Sequence, residues 1–471
     1  MLRSTNPIIQ LDDTGFRFGK GLIDKGRTFR WDPDKEPNGH AVIWGASGSG
    51  KSRLLRSMIH YLSQSGKHLH VVDQHGDLFV EGENMMRFGD CETNYGINPF
   101  EYDNSAHAGP AMNVHAMIEI FRRTYLASMR SVQELVLIQL LFDSYRVKGI
   151  DPDNPQTWLG KPPLPSIETT KELVGAIMHA IENGSYDFFN KLRESSKQIV
   201  KWREAMETLE RKETMRANDD AARQQLRDNI ETEIADLQEA LRAHIEVSFL
   251  GIEPQEALDQ VVIDGYPVNL ELYLRKSAKR AIESLSLYID ALARHGIFSS
   301  TPPPVRAGLN RYDLSLLPDG PRHFFIEVLL AKIFRAVRLR GEYRKRPYRP
   351  RGDRVDTYIV IDEAQAILPT NNADKESPSY MLNRLVGEAR KYGLGLICVT
   401  QSPAVFPKLL FSNVVLKVGL RTNQNDIPAA QRYLGVKGSA LFEHTKRDGV
   451  AMIGGKESDF NSVILDWDAM G

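Results

Sequence analysis

Cysteine is nearly absent: Cys91 and Cys398 are the only two in 471 residues. They stand far apart and without a CxxC spacing, which argues against a zinc site and against a disulfide framework. Both are expected as buried small apolar residues. No apolar run approaches the roughly 18 residues that a membrane span needs, so the chain is not expected to insert by itself. Met1 to Asp12 carries an early Arg but no continuous apolar segment and does not read as a signal peptide, so the expected location is cytoplasmic. A large charge of either sign is also missing. With a net charge of −1, overall basicity does not point to nucleic acid, and such a partner would need a local patch.

The composition, 42% hydrophobic and 26% charged, is that of a soluble globular protein. The length exceeds what one core usually organises, so two or three domains, or one domain with a large insertion, are expected. From His40 onward, short apolar runs alternate with an amphipathic stretch: Ala41 to Trp44, Leu54 to Leu62, then Leu69 to Asp73. This reads β-α-β. Residues 1–38 are too few for a domain and read as a strap or small hairpin. After Asn98-Pro99-Phe100 helical spacing takes over, in Val114 to Leu126 and Val132 to Val147.

Between Leu192 and Phe249 charge is dense, and two apolar seams run through it. Leu192, Ile199, Trp202, Met206 and Leu209 form one; Leu226, Ile230, Ile234, Leu237, Leu241 and Ile245 form the other. Two helices with narrow seams, turning at Lys212 to Asp220, make an antiparallel hairpin. It is either a solvated arm or one that touches a neighbouring subunit. Beyond Thr301 to Pro304, β and helical signals resume. They are Leu309 to Leu314, an amphipathic helix Phe324 to Arg340, then strands Tyr358 to Ile361, Leu394 to Thr400 and Val414 to Leu420. A closing pair lies near Val450 to Ile453 and Ser462 to Trp467. The expected architecture is an α/β core with a mainly parallel sheet, formed by 39–108 together with 296–471 and interrupted by an all-α insertion over 109–295.

Gly45-Ala46-Ser47-Gly48-Ser49-Gly50-Lys51-Ser52 matches GxxxxGK[ST], after an apolar strand and before a helix-compatible stretch. The glycines let backbone N–H groups and a helix N-terminus close on phosphate, Lys51 reaches the β and γ phosphates, and Ser52 ligates magnesium. ATP and Mg2+ are therefore the expected cofactors. Tyr358-Ile359-Val360-Ile361-Asp362-Glu363 is a buried-type strand ending in two carboxylates. Asp362 suits the magnesium shell, and Glu363 suits a general base on the attacking water. Gln401 ends the strand Leu394 to Thr400 at the same sheet edge. It is either a γ-phosphate sensor or the start of a turn before Pro403.

Several segments together resemble the HerA/FtsK superfamily, chiefly its HerA-like branch, which includes conjugation and type IV secretion ATPases. They are the P-loop, Val72-Asp73-Gln74-His75-Gly76-Asp77-Leu78, Asn98-Pro99-Phe100, Asp362-Glu363-Ala364-Gln365, Glu388-Ala389-Arg390-Lys391-Tyr392-Gly393 and Thr400-Gln401-Ser402-Pro403. The likeness covers about 38–103 and 306–466. It implies a RecA-like core assembled as a homo-hexameric ring that moves duplex DNA, or another polymer, through a central pore. It also implies an arginine supplied from the next subunit, for which Arg390 is the first candidate and Arg421 the second. Asp73 and Asp77 are candidates for ordering the nucleotide's water or magnesium shell, or are turn-capping carboxylates. The basic stretch Arg335 to Arg354, with Tyr343 and Tyr348 interleaved, is expected near the sheet edge opposite the nucleotide. There it is either a phosphate-binding surface or an exposed basic loop. About forty residues precede the P-loop where HerA proteins carry a β-barrel, which points to a mobile-element, conjugation-associated or phage-defence relative. Three functions compete: a DNA motor, a conjugation or secretion ATPase working with a membrane partner, and a nucleotide-gated scaffold for a nuclease or other effector.

Overall fold

The computed structural model describes residues 15–21, 26–104, 109–126, 129–160, 162–180, 186–210, 217–248, 261–263, 266–268, 272–273, 276–347, 354–369, 375–377, 380–435, 448–452 and 460–466. Two compact units divide the chain: Met1–Ile97, Arg123–Ala127 and His295–Gly471 form one, and Asn98–Arg122 and Ser128–Arg294 the other.

The first unit opens with β1 (Phe16–Gly21), β2 (Thr28–Trp31), β3 (Ala41–Trp44), α1 (Lys51–Gln64), β4 (His68–Asp73) and β5 (Asn84–Arg87). The second unit comprises α2 (Gly109–Thr124), α3 (Ser131–Arg146), α4 (Gln156–Leu159), α5 (Ile167–Ala180), α6 (Tyr186–Glu210), α7 (Ala217–Ser248), β6 (Val261–Ile263), β7 (Tyr266–Val268) and α8 (Lys276–Ala293). The first then resumes with β8 (Leu309–Asp313), α9 (Asp319–Leu339), β9 (Thr357–Ile361), β10 (Leu394–Thr400), β11 (Leu416–Gly419), β12 (Asp448–Met452) and β13 (Phe460–Leu465).

Eleven strands form one sheet in the order β2-β1-β13-β12-β11-β3-β10-β9-β4-β8-β5. The seven from β11 to β5 are parallel, and the β11–β12, β12–β13, β13–β1 and β1–β2 pairings are antiparallel. Of the residues read as a strap or small hairpin, the described β1 and β2 pair antiparallel at one end of the sheet. The central strands explain the parallel centre: Ala-Val-Ile-Trp in β3, Thr-Tyr-Ile-Val-Ile in β9 and Leu-Gly-Leu-Ile-Cys-Val-Thr in β10 are buried throughout. A strand apolar at every position is stable only with both faces covered. Gly395 answers a local steric demand, since a Cβ there would sit 2.4 Å from the Tyr358 ring on the neighbouring strand. In α1, Leu54, Leu55, Met58, Ile59 and Leu62 fall on one face and are all buried, the three-and-four spacing of a helix laid on a sheet.

In the second unit α3, α5 and α8 pack together around Leu137, Leu140, Ile177, Ile282 and Leu285. Asp143 is buried there, and its carboxylate accepts from Tyr273 Oη at 2.6 Å and Arg146 at 2.9 Å. The long helices α6 and α7 pair, with Ser195 of one donating to Glu233 of the other. Ile199, Trp202, Met206, Leu226 and Ile234 are half-buried and Ile230 is buried, as a narrow seam requires. The side chains of Leu192, Leu209, Leu237, Leu241 and Ile245 and the tip 211–216 lie outside the described residues. One short ladder, β6 against β7, accompanies the helices. No helix among the described residues is long and apolar enough to cross a membrane.

Candidate active site at the carboxyl edge of the sheet

Strand order places the chemistry. β3, β10, β9 and β4 are adjacent and parallel, so the residues that follow them emerge together at one edge: Gly45 to Ser52, Gln401, Asp362 with Glu363, and Gln74 with His75. Sites in open parallel sheets form at this edge.

The loop after β3 folds on itself. Gly45 N donates to Thr400 O, Ala46 N to Arg421 O, and Ser49 N to Ala46 O. Gly48 and Gly50 have φ of 73° and 97°, a left-handed backbone that a side chain resists. At Gly45 a Cβ would lie 2.6 Å from Ser49 Oγ and 2.8 Å from Leu420, so the close turn excludes any larger residue. Gly50 leads into α1 with no side-chain cap, and the first turn carries no acidic residue. Its N–H groups are thereby left to an external anion. Lys51 Nζ donates to Gly45 O at 2.8 Å and to Ala46 O at 3.1 Å. Burial lowers its pKa, against the opposing pull of the Asp362 and Glu363 carboxylates. Ser52 follows in the same first turn, half-buried.

Asp362 is buried and accepts from Glu363 N at 3.0 Å. Burial, with Asp77, Glu363 and Asp73 nearby, pushes its carboxyl up to about 6 against that bond. Crowded carboxylates beside anion-binding N–H groups fit a divalent cation, which would relieve their repulsion. Glu363 is the one non-glycine with positive φ, 48°, among the described residues. A left-handed glutamate costs of order 1 kcal/mol or more and is held by its surroundings. Those are visible: Gln74 Nε2 donates to Asp362 O at 2.8 Å and to Glu363 O at 3.2 Å. Gln401 Nε2 donates to Glu363 Oε1 at 2.7 Å, and His75 Nε2 lies 2.7 Å from Oε2. Burial would raise the Glu363 pKa, but the bonds from His75 and Gln401, with the charges of His75 and Lys51, hold it below its usual value. The bond to Glu363 raises that of His75.

Asp73 is placed otherwise than as a group facing the nucleotide. It is fully buried; Oδ1 accepts from His75 N and Gly76 N, and Oδ2 from Leu78 N and Arg311. With both oxygens bound within the fold, it shapes the turn that carries Gln74 and His75. Asp77 is exposed in that turn. Arg421 is exposed and its carbonyl walls its own loop. Arg390 is not brought to this edge. It precedes β10 beside a cavity of about 650 Å³ lined also by Asn38, Glu342, Arg344 and Lys391, where the strands begin. The basic stretch belongs to that edge as well: Arg346 pairs with Asp356 at 2.7 Å and donates to Tyr392 O. Arg338, Arg340, Arg344 and Lys345 are exposed. Tyr348, Arg349 and Arg351 lie outside the described residues.

No family model and no curated protein sequence matches the chain. Solved structures do. VirB4 of Thermoanaerobacter pseudethanolicus is similar with a TM-score of 0.58 at 14% identity, over 97% of each chain. The plasmid coupling protein TrwB in complex with the ATP analogue ADPNP gives 0.51 at 15% identity, over 97% of this chain and 96% of that one. TrwB in complex with ADP and Mg2+ gives 0.51 at 14%, over 96% and 95%. At 14–15% identity these likenesses show a shared fold: an α/β sheet with flanking helices. At this edge, reading the sequence missed His75 and the two bonds of Gln74. Their signal was available in the turn Val72 to Leu78, which follows β4 at the same edge as Asp362 and Glu363.

Proposed function

We infer that the chain is an ATP-hydrolysing motor of the conjugation type that acts on duplex DNA as a homo-oligomeric ring. The observation that carries the ATPase reading is the carboxylate of Glu363, oriented by Gln401 and bordered by Lys51 and Asp362 at the mouth of a P-loop. Glu363 takes a proton from water as its oxygen attacks the γ phosphorus; the bond to the ADP oxygen breaks, and Lys51 with the loop N–H groups stabilises the charge that develops. Mg2+, when bound, would be held by Ser52 and Asp362 and would neutralise phosphate charge. The depressed pKa of Glu363 keeps it ionised, as a base must be. The fold likeness to TrwB, solved with ADPNP and with ADP and Mg2+, supports both the nucleotide and the conjugative setting. For DNA the candidate surface is Arg338, Arg340, Arg344 and Lys345.

A second reading, energy supply to a membrane-bound secretion partner, is favoured by the likeness to VirB4. One experiment separates the two: steady-state ATP hydrolysis with and without duplex DNA at two salt concentrations, with Glu363→Gln as control. Several-fold stimulation that fades as salt rises, with the variant binding ATP but hardly turning over, is the expected result. ATPase activity indifferent to DNA would move the function to secretion or effector gating. A fully active Glu363→Gln protein would remove Glu363 from the chemistry.

A further inference from the structure

The turn from Asp73 to Leu78 holds Glu363 at two levels. Gln74 ties down its backbone through the carbonyls of Asp362 and Glu363, and His75 meets its side chain. The turn is itself anchored, because Asp73 accepts three of its N–H groups and is locked by Arg311, which Glu83 holds from the other side at 2.6 and 3.0 Å. A rigid path therefore runs from the buried Glu83–Arg311–Asp73 ion pairs to the imidazole. An ionised carboxylate only accepts, so His75 Nε2 carries the hydrogen of the 2.7 Å contact. Each oxygen of Glu363 then has one donor, Gln401 on Oε1 and His75 on Oε2, and keeps another lone pair for water. Two donors on two oxygens fix the plane of the carboxylate as well as its position, which one donor would not.

Taking Glu363 as the base, the reading on which this rests, we propose that His75 is a positioning residue for hydrolysis. It orients the Glu363 carboxylate toward the attacking water without touching phosphate. The misplacement its loss would cause lowers the rate of the chemical step and leaves nucleotide binding alone.

The test is steady-state hydrolysis by the full chain, with the affinity for ADPNP measured alongside. His75→Ala lowers kcat about ten- to a hundred-fold, as loss of orientation does, with KM and ADPNP affinity within about two-fold. His75→Gln, whose amide nitrogen can stand where Nε2 stands, recovers several-fold over His75→Asn, whose shorter arm falls short; this comparison decides the matter should His75→Ala not bind ADPNP. Added to Glu363→Gln, His75→Ala costs nothing further, since the group it orients is gone. A wild-type or raised kcat in His75→Ala, a loss confined to KM, equal rates for the Gln and Asn variants, or a full additional loss on Glu363→Gln overturns the proposal. Glu363→Gln at the wild-type rate sinks the base assignment instead, so the two failures are told apart.

Discussion

Arg311 shows how much of the site is held by charge that never meets substrate. Its guanidinium is buried between Asp73 and Glu83, at 2.8 and 2.6 Å, and both carboxylates are themselves buried. Replacing an ion network by apolar groups is often neutral, but removing one member strands the others. Arg311→Met is therefore expected to cost about 3–5 kcal/mol, read as a drop in the urea midpoint, and Arg311→Met with Asp73→Asn and Glu83→Gln should regain much of it. An unchanged midpoint in the single variant would mean that water reaches these carboxylates. The same residues mark the limit of sequence reading. The P-loop and the Asp362-Glu363 pair were legible because each is a local pattern on a strand end. Gln401 was placed at the edge of Glu363, but the contacts of Arg311 with Asp73 and of His75 with Glu363 were not read even though the turn Val72 to Leu78 stood out, because they span 238 and 288 residues and only the sheet order brings them together.

At the scale of elements, the buried central strands announce themselves: β10 spans the residues that its apolar run indicated, and β9 begins one residue earlier than its run. The edge strand β5, Asn-Met-Met-Arg, has a single fully buried residue and one partner, β8. Four residues of that kind carry neither an alternating nor a continuous apolar signal, and β5 exists because Asp313 and its neighbours offer a ladder. Two imidazoles sit on or beside the central strands, His40 buried and His70 half-buried. His40, just before β3, accepts Leu396 N at 3.1 Å, and His70 in β4 lies 2.9 Å from Tyr312 Oη. Burial first, with Arg390 near one and Arg340 and His68 near the other, lowers both to about 4. The unfolded chain binds protons at these histidines below the ordinary value of 6.5 while the folded chain does not. The stability they contribute is thus complete above about 6.5 and lost as pH falls from there to about 4. His70→Asn should reduce the slope of unfolding free energy against pH by about 1.4 kcal/mol per unit between about pH 5 and 6, measured by urea unfolding at both values. An unaltered slope would show His70 already protonated in the fold.

For the ring proposed above, the question is where one subunit ends and its neighbour's chemistry begins. A ring is built from head-to-tail contacts, so the surface that completes a neighbour's site differs from the one that bears the subunit's own. The candidate arginines divide on this criterion. Arg421 walls its own P-loop through its carbonyl, Ala46 N donating at 2.7 Å, and so stays with its own site. Arg390 stands exposed where β10 begins, away from its own loop and on a surface free to meet another subunit. Arg390→Ala is expected to assemble and bind nucleotide but not to hydrolyse it, like Glu363→Gln. Mixed in equal amounts, the two inactive proteins should regain activity at roughly a quarter of sites, those where a subunit with intact Glu363 follows one with intact Arg390. Arg421→Ala mixed in the same way should regain none, because its defect travels with its own site. Rescue by Arg421→Ala and none by Arg390→Ala would exchange the two roles. Rescue by neither would place both arginines in the subunit's own chemistry or outside it, and the completing cation would then have to come from elsewhere in the neighbour.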